Sequence, residues 1–198
     1  VFHVVPSLKA ALRAVEAGVD GLVVEGGEGG GFKNPREVAS MVLLPLVCEK
    51  VNVPVIAAGG MVDGRTMAAA FALGAEGIQM GTRMVSSEES PVHANWKSAI
   101  RAAQETDTVF LNRFGPGPAL RALRTEKTTR FEKEPPENIM GEFGNALALY
   151  FGGDMEASIA LSGQVAGRID EIKPVERIIR ETIAEFREVI AKLGRQYG

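Results

Sequence analysis

The chain has 198 residues, of which 45% are hydrophobic and 24% charged, close to the usage of ordinary soluble domains. Its net charge of −3 offers no clustered positive charge for nucleic acid, and its apolar runs are far shorter than the roughly 20 residues of a membrane span. The single cysteine, Cys48, excludes an internal disulfide, and the N-terminal stretch lacks the basic flank of a signal peptide. We therefore expect a cytoplasmic protein.

The first hundred residues alternate between short apolar runs and helical patterns. Strands are predicted at 1–5, 21–25, 53–58 and 77–80. Helices are predicted at 8–17, 35–50, 65–73 and 91–103, with Ser7 as the cap of the first. Four β-α units in succession favour parallel strands joined by right-handed crossovers.

The positions of the glycines distinguish two α/β architectures. A doubly wound sheet usually has its glycine fingerprint after the first strand. Here the glycines follow the second, third and fourth strands, whereas an eight-stranded barrel often holds phosphate after strands seven and eight. We therefore expect the C-terminal part of a (β/α)8 TIM barrel, strands five to eight by count. Four strands cannot close a barrel, so the chain would be a fragment or be completed by a second chain, and open strand edges favour a homo-oligomer.

The pattern changes after residue 104. Residues 1–104 are predicted to form the C-terminal half-barrel, 105–155 a lid or helical insertion, and 156–198 C-terminal helices that pack on the barrel. Within the last two segments, helices are predicted at 140–150, 155–169 and 174–193. The arginines of the middle segment are expected on a solvated face; they are Arg113, Arg121, Arg124 and Arg130.

Two strand ends have the strongest functional signal. Gly59-Gly60 and Gly81-Thr82 each stand between a predicted strand and a helix. Glycine lets backbone N–H groups approach a phosphate, and a helix N-terminus favours an anion. The alternative is a pair of tight turns with no ligand.

Other candidate residues are less specific. The glycine-rich stretch 25–31 contains the acceptors Glu25 and Glu28 and is either a site loop or a mobile surface loop. The stretch 161–167 has small residues that suit a tight helix contact. His3 and His93 are expected to be structural, and no metal-ligand spacing is present.

These stretches resemble the nitronate monooxygenase family, formerly called 2-nitropropane dioxygenases, and its relatives the FMN-dependent enoyl-ACP reductases. The similarity covers residues 11–20, 25–31, 54–65, 72–83 and 162–167. It implies an FMN cofactor whose phosphate is held by Gly59, Gly60, Gly81 and Thr82. It also implies that Glu25, Gly30 and Gly31 line the flavin, with Gln79 and Ser162 nearby.

The sequence departs from this family at one position. The glycine-rich loop of the family usually ends in Gly-Gly-His, where the histidine is the catalytic base, whereas this chain has Phe32. The catalytic residue is therefore left open. Three functions are considered: oxidation of alkyl nitronates by dioxygen to a carbonyl compound and nitrite, reduction of an enoyl thioester or a quinone by NAD(P)H, and non-catalytic binding of flavin or phosphate.

Overall fold

The computed structural model describes all 198 residues, which fall into two compact units. The first comprises Val1–Gly27, Val38–Met80 and Lys173–Gly198, and the second comprises Glu28–Glu37 and Gly81–Ile172. Every helix is too short or too polar to cross a membrane.

The elements are numbered in chain order. The strands are β1 (Phe2–Val5), β2 (Gly21–Glu25), β3 (Gly31–Lys33), β4 (Val55–Ala58), β5 (Gly77–Gln79), β6 (Thr108–Leu111) and β7 (Ala119–Leu123). The α-helices are α1 (Leu8–Glu16), α2 (Ser40–Cys48), α3 (Gly64–Ala72), α4 (Thr82–Val85), α5 (Ala94–Ala102), α6 (Glu126–Lys133), α7 (Ala146–Tyr150) and α8 (Val175–Tyr197). Two 3-10 helices cover Ile139–Phe143 and Gln164–Arg168.

The first unit is built on a parallel sheet with the strand order β1-β2-β4-β5. Its core contains Leu22, Val24 and Val55 from the strands and Leu43 and Val47 from α2, all at most 3% exposed. β2 and β4 are buried along most of their length, which explains why their sequences are nearly all apolar. The predicted α/β class and the four parallel strands are confirmed, while membership of a closed eight-stranded barrel stays a prediction.

Helix α2 begins five residues later than predicted. The Asn34 side chain accepts a hydrogen bond from the Arg36 amide at 3.1 Å, and this local turn competes with helix formation. The Glu37 carboxylate binds the Arg121 guanidinium at 2.8 Å. These contacts hold residues 34–37 out of the helix, which starts only at Ser40.

The second unit contains an antiparallel sheet with the strand order β3-β7-β6. The segment 105–155, predicted as a lid or helical insertion, contains β6 and β7 in addition to α6, a 3-10 helix and α7. The side chains of β6 and β7 share an apolar core with Phe131 of α6 and with Ile139 and Ile159. A role of this segment as a lid stays a prediction, as does the division at residues 104 and 155.

The later helices agree only in part with the predicted ranges. No α-helix forms at 155–169, which has only the 3-10 helix Gln164–Arg168. There the backbone is used elsewhere, since the Ala160 carbonyl accepts the Leu123 amide of β7 at 2.9 Å. The range 140–150 is split around Gly144 into a 3-10 helix and α7. The final helix is confirmed and extends to Tyr197, and it packs against α3 in the first unit.

Candidate functional site

Three residues at the ends of neighbouring strands of the parallel sheet lie in register with one another. Glu25 of β2 is in register with Ala58 of β4, and Ala58 is in register with Gln79 of β5. Neighbouring strands lie about 4.8 Å apart, so Glu25 and Gln79 flank the point at which β4 leads into Gly59. The sheet thus brings together the site residues predicted in the first unit.

The turn after β4 has a backbone that requires glycine. Gly59 and Gly60 have φ values of +76° and +79°, a region that side chains rarely adopt. The buried Ser40 hydroxyl donates to the Gly59 carbonyl at 3.1 Å. Because the trans peptide group is planar, the Gly60 N–H points away from Ser40. The turn therefore presents an oriented N–H group of the kind that binds an anion.

The N-terminus of α3 does not supply the additional anion site that we expected. The Asp63 carboxylate accepts the Thr66 amide at 2.9 Å, and the Glu185 carboxylate accepts the Gly64 amide at 2.9 Å. Two carboxylates thus already occupy first-turn donors of this helix. Any phosphate held after β4 would depend on the Gly59–Gly60 turn itself.

In the second unit, Thr82 opens the short helix α4 and is only 7% exposed. Its hydroxyl oxygen accepts the Gly163 amide at 2.8 Å, which leaves the hydroxyl hydrogen free to be donated. Gly81 precedes it without a side-chain cap, and a Cβ at Gly81 would meet no atom within 4 Å. The pair offers a donor and an open approach to the backbone.

The glycine-rich stretch is packed closely and includes a strand. A Cβ at Gly30 would lie 2.5 Å from the Ser162 carbonyl carbon and 2.6 Å from the Gly163 nitrogen. Gly31 has a φ of +93° and begins β3. Gly30, Thr82 and Ser162, all predicted from the sequence, are thus brought together in the second unit.

Two residues near these positions were not predicted. Ser40 orients the Gly59 carbonyl, as described, and the Trp96 indole N–H donates to the Ser162 hydroxyl at 3.2 Å. Ser162 is fully buried and Trp96 is 1% exposed. A lone tryptophan on an amphipathic helix has the pattern of a core residue, so the sequence contains no signal for this bond.

Phe32, at the position of the expected base, presents an aromatic surface. The residue is 52% exposed, and its ring lies 5.9 Å from the ring of Phe143, centroid to centroid. A phenyl ring neither accepts nor donates a proton, so residue 32 can contribute only shape and apolar contact.

The remaining candidates have structural surroundings. His93 caps α5, with Nδ1 accepting the Asn95 amide at 3.1 Å, and no group of three potential metal-ligating side chains occurs. Burial raises the pKa of the Cys48 thiol. Arg121 corrects the expectation of a solvated face, because it is 6% exposed and bonds Glu37 and the Thr108 hydroxyl.

Comparison with known proteins places these features in context. A sequence model described as nitronate monooxygenase matches residues 1–185. A probable nitronate monooxygenase of Staphylococcus saprophyticus is 38% identical over 154 residues, covering 71% of this chain and 43% of the relative. One from Staphylococcus aureus strain MSSA476 is 33% identical over 198 residues, covering 93% of this chain and 55% of the relative. The chain thus spans about half the length of these curated relatives.

Solved structures show the same similarity. FabK from Thermotoga maritima matches with a TM-score of 0.92 and 44% identity, over 100% of this chain and 63% of that protein. A nitroalkane oxidase from Streptomyces ansochromogenes matches with a TM-score of 0.83 and 25% identity, over 97% of this chain and 58% of that protein.

Proposed function

The chain belongs to the nitronate monooxygenase family, and we propose that it serves an FMN-dependent oxidoreductase that converts alkyl nitronates and dioxygen to a carbonyl compound and nitrite. The observation that carries the proposal is the Gly59–Gly60 turn at the end of a parallel strand, with its positive φ values and its carbonyl held by Ser40. The family membership supplies the class of chemistry.

The residues of the chain fit the phosphate of FMN. The turn and the uncapped Gly81 offer backbone N–H groups without an intervening side chain, and Thr82 adds a hydroxyl hydrogen. We propose that Gly59, Gly60, Gly81 and Thr82 contact the phosphate. The proposed flavin contacts are Glu25, Gly30, Gly31, Gln79 and Ser162. When bound, FMN would supply the electron-transfer chemistry between the substrate and dioxygen, and dioxygen would supply the oxygen atom of the carbonyl product.

The chemistry at residue 32 favours a substrate that is already ionised. Phe32 cannot remove the α-proton of a neutral nitroalkane, whereas a nitronate has lost that proton before it binds. The half-exposed Phe32 ring and its neighbour Phe143 would contribute apolar contact to the alkyl part of the substrate. We therefore expect turnover of nitronates and none of neutral nitroalkanes.

The test is the visible absorption spectrum of the chain incubated with FMN, followed by anaerobic addition of propyl nitronate. A flavin band that bleaches, and returns when air is admitted, is the expected result. Bound flavin that does not bleach would refute the oxidation, and an absence of bound flavin would refute the cofactor assignment.

A matched pair of variants tests the phosphate turn. Gly60→Ala places a side chain at a φ of +79°, and Gly18→Ala does the same at +85° on an exposed loop. Both variants have similar backbone strain, of about 1–2 kcal/mol. Only Gly60→Ala should weaken FMN binding; equal FMN dissociation constants in the two variants would contradict the role of the turn.

A second candidate is an NAD(P)H-dependent FMN reductase of enoyl-ACP or quinone substrates. The observation that favours it is the 44% identity to FabK, compared with 25% to the nitroalkane oxidase. Anaerobic NADH or NADPH would bleach the flavin under this candidate, and an enoyl thioester or a quinone would restore it. Bleaching by nitronate but by neither pyridine nucleotide would exclude it.

A further inference from the structure

Trp96 is the only tryptophan of the chain and belongs to none of the predicted site positions. It lies on α5, is 1% exposed, and its ring meets the Tyr150 ring edge-on at 4.9 Å. Its indole N–H is directed at the Ser162 hydroxyl, 3.2 Å away. Packing through apolar atoms alone would not fix where the indole N–H points, whereas the hydrogen bond to Ser162 fixes it.

Ser162 belongs to a backbone segment that touches two predicted binding positions at once. On one side, Gly30 approaches so closely that a Cβ there would be 2.5 Å from the Ser162 carbonyl carbon. The Gln164 amide also donates to the Glu28 carbonyl at 2.9 Å. On the other side, the Gly163 amide donates to Thr82 Oγ1 at 2.8 Å. Displacing residues 162–164 would therefore move the glycine-rich stretch and Thr82 together.

We infer that Trp96 is a positioning residue for FMN, acting through Ser162 on Gly30 and Thr82. The inference rests on the proposed function. Its physical basis is that the Ser162 hydroxyl is fully buried, so loss of the indole donor removes a hydrogen bond that water cannot replace without opening the packing. The segment then loses its directional contact with α5, so Gly30 and Thr82 are held less precisely.

The experiment compares FMN dissociation constants, measured by flavin fluorescence, for the wild type, Trp96→Phe, Ser162→Ala and the double variant. Trp96→Phe keeps an aromatic ring against Tyr150 but removes the N–H. Each single variant should weaken FMN binding about 5- to 10-fold, the effect of one lost buried hydrogen bond. The FMN dissociation constant of the double variant should be no higher than that of the weaker-binding single variant, because both changes break the same hydrogen bond.

Ser158→Ala is the matched control. Ser158 is 1% exposed and lies four residues before Ser162, and its hydroxyl has no hydrogen-bond partner. Removing this hydroxyl should leave the FMN dissociation constant within about 2-fold of the wild type. A second readout comes from near-ultraviolet circular dichroism of the single indole, which should change in Ser162→Ala and not in Ser158→Ala.

The outcomes separate this inference from the proposed function. Wild-type protein that binds no FMN would refute the cofactor assignment and this inference with it. If the wild type binds FMN, either of two results overturns the inference alone: unchanged affinity in Trp96→Phe, or single-variant effects that multiply in the double variant. If Trp96→Phe fails to fold, unchanged affinity in Ser162→Ala still overturns the inference, since Ser162 is the link through which Trp96 would act.

Discussion

The contact of α3 with α8 leaves no room for a side chain at Gly64. A Cβ at this first residue of α3 would lie 2.2 Å from the Phe186 nitrogen and 2.6 Å from the Thr182 carbonyl oxygen. Both are backbone atoms of a 23-residue helix, so neither can move without shifting the helix. We expect Gly64→Ala to force α3 and α8 apart.

The magnitude follows from two losses. Overpacking of a well-packed contact costs about 1–3 kcal/mol. Separation also stretches the hydrogen bond of 2.9 Å from the Gly64 amide to the Glu185 carboxylate, and a hydrogen bond to a charged group contributes about 1.5–3 kcal/mol. Partial relaxation and the better helix propensity of alanine offset part of this. The free energy of unfolding should therefore fall by about 2–3 kcal/mol.

The assay is thermal unfolding followed by far-ultraviolet circular dichroism. A loss of this size corresponds to a fall in midpoint of roughly 5–10 °C for a chain of this length. The control is Gly194→Ala on α8, where a Cβ meets no atom within 4 Å; it should be neutral or stabilising by at most about 1 kcal/mol. A Gly64→Ala midpoint equal to that of the wild type, or two equally destabilised variants, would refute the reasoning.

Three further predictions concern side chains described above. Arg121→Met should lower the free energy of unfolding by about 1–3 kcal/mol, because it leaves the part-buried Glu37 carboxylate without this partner. Arg124→Met breaks an exposed ion pair with Glu132 and should change the free energy of unfolding, measured in urea, by at most about 0.5 kcal/mol. Equal losses in the two variants would contradict the value expected for Arg121→Met. Cys48 has a pKa raised by burial, so iodoacetamide at pH 8 should alkylate it more slowly in the folded than in the urea-unfolded chain, and equal rates would argue against burial. If residue 32 is the position of the base, Phe32→His should add turnover of neutral nitroalkanes in an oxygen-uptake assay, and no gain would mean that the imidazole is not presented to the substrate.

The parts of the fold that follow from patterns within short stretches of sequence could be predicted. Apolar runs alternating with helical periodicity predicted the four parallel strands. Gly59-Gly60 predicted a turn after the third of them, and the structure shows positive φ values at both glycines. Ser7 was predicted as a helix cap, and its hydroxyl does accept the Ala10 amide at 3.2 Å.

What the sequence did not predict depends on long-range pairing. β3 is three residues long, begins with glycine and contains Lys33, so it has no strand pattern of its own and exists because it pairs with β7. Three hydrogen bonds near the candidate site were not predicted for the same reason. Their partners, Ser40–Gly59, Trp96–Ser162 and Gly64–Glu185, lie 19, 66 and 121 residues apart. The windows of about 11–18 residues in which periodicity is detected contain only one end of each of these bonds.

The interleaving of the two units affects the order in which they can be completed during synthesis. The ribosome releases the chain from its N-terminal side, yet the first unit needs α8, whose residues 175–197 are made after every residue of the second unit. The second unit has all of its residues once Ile172 has emerged. The first unit is therefore completed after the second, and until then the close-packed face of α3 at Gly64 lacks its neighbour. A translational stall or a proteolytic cut just before residue 173 would thus damage the first unit and leave the second with its full set of residues.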